Sequence, residues 1–88
     1  MARIEMGPEA ALMAAEAATG ETFFRLGLMY STGSHGSPDR VAAHKWFNIA
    51  AARGYRPAAE YRREIAVEMG EDEVREALRQ AREFLTLH

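Results

Sequence analysis

The chain has 88 residues, no cysteine, a formal net charge of −2 and 48% hydrophobic residues, which allows one small domain that buries only about 60–65% of its unfolded surface and so needs close packing, a partner or self-association. The missing cysteines exclude disulfides, thiolate metal sites and Cys nucleophiles, and basic residues interleaved with acids argue against a nucleic-acid backbone as partner. No run approaches the roughly 20 apolar residues of a membrane span, and Glu5, Gly7, Pro8 and Glu9 interrupt any apolar stretch after Arg3, so a cytoplasmic chain without a secretory signal is expected.

Pro8 suits a first helical position, and 9–18 is rich in Ala, Glu, Leu and Met, so a first helix is expected over 8–19. Its apolar face is thin, with Leu12 and Ala15 as anchors. Thr19 then serves as an N-cap for the next helix. From Glu21 to Tyr30, the residues Phe23, Leu26, Gly27 and Tyr30 follow the i, i+3, i+4, i+7 spacing of one buried face. A glycine inside that face costs about 1 kcal/mol relative to alanine, which points to a second helix passing where a Cβ would sit.

The stretch 31–37 holds Gly33 and Gly36 among serines and a threonine and reads as a loop. Ser37 as cap, Pro38 in the first turn and Asp39 at the positive end of the dipole restart the helix. Ala42, Trp46, Ile49, Ala50 and Arg53 then mark one face, with Ala43, Phe47 and Ala51 beside it, and Gly54 closes the helix. Pro57 opens a further helix with Ala58, Tyr61, Ile65 and Met69 in a stripe, and Gly70 is expected to end it. Glu71, Asp72 and Glu73 form an acidic first turn; Val74, Ala77, Leu78, Ala81, Phe84 and Leu85 continue as an apolar stripe, with Glu71 and Arg75 spaced for an ion pair.

Leu26-Gly27, Tyr30, Gly33, Asp39, Trp46-Phe47, Ala50-Ala51 and Gly54 resemble the Sel-1-like repeat, a helix-turn-helix unit related to the tetratricopeptide repeat. The resemblance covers 20–54. The helices over 57–86 look like the degenerate capping hairpin of such arrays, and the whole chain is similar to small bacterial proteins with a single repeat. Two departures stand out: the turn reads Gly33-Ser34-His35-Gly36 in place of Gly-x-Gly-Val, and the second hairpin carries Arg62 and Arg63 where the family has its Leu-Gly signature. The resemblance implies an all-α fold, a superhelix of helical hairpins with about five antiparallel helices. It also implies adaptor work, in which the first helix of each hairpin lines a concave binding surface. On that surface Phe24, Arg25 and Met29 from the first hairpin and Tyr61 and Arg62 from the second are the expected protein-binding residues.

Catalytic, cofactor and metal chemistry finds no support in the pattern. His35, His44 and His88 lack ligand spacing and read as solvent-facing. Ser31, Ser34 and Ser37 read as turn and cap residues rather than nucleophiles, and Trp46 and Phe47 as core rather than a cofactor platform. The arginines of the second hairpin alternate with glutamates, the pattern of a solvated surface. A non-catalytic module that binds a protein or peptide, or a second copy of itself, is the expected function. The alternative is a small ligand-binding protein or enzyme with a cleft between the hairpins.

Overall fold

A computed structural model describes residues 19–34 and 36–87, and within them Thr19 already fixes the entry to the first helix. Its side chain accepts the Thr22 N–H at 3.3 Å, and the Thr22 hydroxyl accepts the Thr19 N–H at 3.3 Å, so two otherwise unsatisfied donors are met reciprocally. Four helices follow: α1, Gly20–Thr32; α2, Arg40–Ala52; α3, Pro57–Ala66; and α4, Glu71–Leu87. Among the described residues there is no strand, and the chain is all-α. The fifth helix expected over 8–19 falls, apart from Thr19, outside the described residues.

The turn between α1 and α2 depends on Gly33, whose φ of 71° places it in the left-handed region. A Cβ there would stand 2.6 Å from the Gly36 carbonyl oxygen and 2.8 Å from Pro38 Cδ, so only glycine fits. Ser37 is not the cap of α2. Asp39 is: its backbone is still extended (φ −133°, ψ 99°) and its side chain accepts the Ala42 N–H at 3.0 Å, while its own N–H donates to the Tyr30 carbonyl at 2.9 Å across the turn. Gly70 also differs from expectation. The chain leaves α3 at Ala66 and tightens into i→i+3 bonds from Val67, Glu68 and Met69. Gly70 opens α4 instead, with its carbonyl accepting the Val74 N–H at 3.0 Å and its N–H donating to Glu73 Oε1 at 2.9 Å.

The three other helices all pack on α2. α1 lies antiparallel to it, with Gly20 against Ala50 and Tyr55 at one end and Gly27 against Phe47 further along. α3 is also antiparallel, through Phe47–Tyr61 ring contact at 5.6 Å and the Arg40–Glu68 ion pair at 3.3 Å. α4 runs parallel to α2: Glu73 lies beside Val41, and Phe84 meets Trp46 at 5.2 Å between ring centroids. Its main packing partner is therefore α2 and not its sequence neighbour α3. Phe23, Leu26, Ala43, Trp46, Phe47, Ile49, Ala50, Ala58 and Ala81 form the core, where the buried alanines let backbones approach around the large rings.

Candidate functional site

Phe47 organises the surface between α1 and α3. Its ring occupies the space that Gly27 leaves open, with Cδ1 and Cε1 only 2.4 Å from where a Cβ would stand. What fills the gap is thus a side chain of the partner helix, not its backbone. Phe24 on α1 packs on Phe47 at 5.7 Å, on Tyr55 at 4.9 Å and edge-to-face on Tyr61 of α3 at 4.9 Å. These rings close the space between the two helices at one end.

Beside those rings, α1 and α3 line a groove of about 310 Å³ over Phe47. Leu28, Ser31 and Thr32 form the α1 wall, and Tyr61, Glu64, Ile65 and Glu68 the α3 wall. The Ser31 and Thr32 hydroxyls donate to the Leu28 carbonyl at 3.1 and 2.9 Å, so their protons are spent on the helix and their oxygens remain as acceptors. Glu64 and Glu68 stand one turn apart. Glu68 pairs with Arg40 at 3.3 Å at the groove's far end, with both side chains more than half exposed.

Of the five residues expected on the binding surface, the structure brings Phe24 and Tyr61 into contact. Arg25 is exposed and pairs with Glu21 at 3.7 Å. Met29 is half-buried against the core. Arg62 donates from Nη1 to Asn48 Oδ1 at 2.6 Å and so ties α3 to α2. The groove walls add Leu28, Ser31, Thr32, Glu64, Ile65 and Glu68, which the sequence reading did not assign to the binding surface. The signal was present: Leu28 and Ser31 lie four and seven residues after Phe24, and Ile65 and Glu68 four and seven after Tyr61, so each set continues one helical face. Arg25, Met29 and Arg62 lie off those faces, because one residue turns the helix by about 100°.

Behind Arg62 lies a feature that corrects the sequence reading. His44 does not face solvent: it is 3% exposed, and its Nδ1 makes no hydrogen bond among the described residues. Burial, and after it the Arg62 charge, push its pKa below the usual histidine value. The imidazole is therefore a neutral part of the α2–α3 packing. His35 and His88 lie outside the described residues. Among the described residues no cluster of three or more His, Asp or Glu side chains could hold a metal, and no helix is long and apolar enough to cross a membrane. No family model matches the chain, and neither a curated protein nor a solved structure resembles it at a significant level.

Proposed function

We propose that the protein is a non-catalytic, cytoplasmic interaction module of the Sel-1-like kind, and that it holds a segment of another protein in the groove between α1 and α3. The observation that carries this reading is the groove itself: α1 and α3 both line it, with Leu28 and Ile65 as apolar side chains above Phe47 and with polar acceptors from both helices. At about 310 Å³ it sits at the small end of ligand sites. It lies on the surface and is lined by residues of two helices, which suits a chain segment better than an enclosed small molecule. The Sel-1-like reading rests on the residues from Leu26 to Gly54 quoted above and on the antiparallel packing of α1 against α2.

The test is photo-crosslinking in cells that produce the protein, with benzoylphenylalanine placed in turn at Ser31, at Glu64 and, as a control on the opposite side, at Arg82 of α4. The same partner should crosslink from both groove positions and not from Arg82. Ser31→Arg should abolish the crosslink from Glu64 while leaving thermal melting unchanged, since Ser31 lies on the rim. A partner captured from Arg82 alone, or one that Ser31→Arg does not displace, would place the working surface elsewhere.

A further inference from the structure

The groove has a definite chemical polarity. Its inner walls are apolar, contributed by Leu28 and Ile65, above a Phe47 ring that is itself only 1% exposed. Apart from the Tyr61 hydroxyl, which can donate as well as accept, its spare polar side-chain atoms accept hydrogen bonds: the Glu64 and Glu68 carboxylates and the oxygens of Ser31 and Thr32, whose protons already go to the Leu28 carbonyl. No lining residue is cationic. Arg40, outside the lining, reaches only Glu68 at the far end, while Glu64 has no ion pair among the described residues. A ligand rich in acceptors or bearing negative charge would meet like charge and find no lining cation to pair with. A ligand with donors and positive charge meets a complementary field at both carboxylates and at the Ser31 and Thr32 oxygens.

We propose, building on the groove reading above, that the occupant is a basic–apolar segment of a partner protein, with a Lys or Arg side chain directed to Glu64 and a neighbouring apolar side chain seated between Leu28 and Ile65. Two occupants within the chain itself fit less well. The segment 1–18 carries Glu5, Glu9 and Glu16 against the single Arg3 and is repelled by the same rim. A second copy carries the same net charge of −2, and two of the three arginines of α4 already have partners on their own helix, Arg75 with Asp72 at 2.8 Å and Arg79 with Glu76 at 2.7 Å.

The proposal is tested with a set of short capped peptides that share one apolar frame and carry lysine and arginine, glutamate, or glutamine at the variable positions. Binding is read by fluorescence anisotropy and by amide and methyl NMR shifts of the intact 88-residue protein. The cationic peptides should bind about ten-fold more tightly than the neutral ones, with the anionic ones weakest. The preference should shrink as salt is raised. Glu64→Gln with Glu68→Gln should erase it while leaving apolar binding and the melting temperature in place, because both carboxylates stand at an exposed rim. If neutral and cationic peptides shift Leu28 and Ile65 equally, or the preference survives the double variant, the charge assignment is overturned while the groove reading stands. If peptides of every charge leave Leu28, Phe47 and Ile65 unshifted, the groove reading itself fails and the proposal with it. If sedimentation shows a wild-type dimer that the double variant loses, the occupant is a second copy and the partner assignment is overturned.

Discussion

Among the described glycines, Gly27 leaves the least room for a Cβ, against the Phe47 ring, and two opposed effects meet there. Replacing an interior helical glycine with alanine gains about 1 kcal/mol of helix propensity, but the added Cβ would stand 2.4 Å from two ring carbons of Phe47. That ring is 1% exposed and flanked by Phe24 and Tyr61, so it can give way only by disturbing those contacts, and the clash wins. Gly27→Val should destabilise by about 1–3 kcal/mol in urea unfolding, the usual range for overpacking. In a Phe47→Leu background much of that loss should disappear, giving a clear coupling in the double-mutant cycle. Additive losses would show that the ring and the missing Cβ are unrelated. The sequence made it legible that something occupies the Gly27 side of α1, because an interior glycine on an apolar face is costly. Whether a backbone or a ring fills the gap depends on the rotamer and axial offset of another helix, which no pattern within α1 encodes.

The same distinction between a face and its destination recurs at the level of whole elements. The apolar stripe of α4 is plain in the sequence, and Ala77 and Ala81 are fully buried on it. A stripe, however, says which side is covered and not by what, so the pairing of α4 with α2 was not legible; nor was the 39% exposure of Leu78, which the same periodicity marks as apolar. End signals were similarly partial. Glycine at position 70 punctuates the chain, but only the hydrogen bonds show that it begins a helix instead of ending one, and Arg75 pairs with Asp72 rather than with Glu71. The polar side of α4 is an ion-pair ladder in which hydrogen bonds from Arg79 and Gln80 hold the Glu76 pKa down to about 2. Exposed pairs of this sort contribute little. What fixes α4 is Phe84, packed edge-on against both Phe23 and Trp46 at 5.5 and 5.2 Å. Phe84→Ala should therefore cost on the order of 2 kcal/mol, less than the value for a fully buried ring, with faster amide exchange concentrated in α4. Arg79→Gln should change stability by less than about 0.5 kcal/mol. Equal effects from the two variants would mean that the ladder, not the ring, docks the helix.

For the molecule as a whole, His44 links stability to pH. Its folded pKa lies below the ordinary value of 6.5 through desolvation and the Arg62 charge, so the unfolded chain takes up the proton first. Stability from this group is fully present above the ordinary histidine pKa and is lost as pH falls from there toward the folded value. Urea midpoints measured between neutral pH and about pH 5 should fall with acid in the wild type. The fall should be shallower in His44→Gln, and an unchanged slope would mean that other groups control it. The central position of α2 has a kinetic consequence. Its contacts with α1 and α3 join stretches adjacent in the chain, the low-contact-order arrangement that forms fast, whereas Phe84 reaches Phe23 and Trp46 only by closing the longest loop among the described residues. The three-helix unit around α2 is thus the natural nucleus and α4 the late arrival. On that account the stability lost in Phe84→Ala resides in a faster unfolding rate, with the refolding rate nearly untouched, and α4 acts as the latch that sets the lifetime of the folded state.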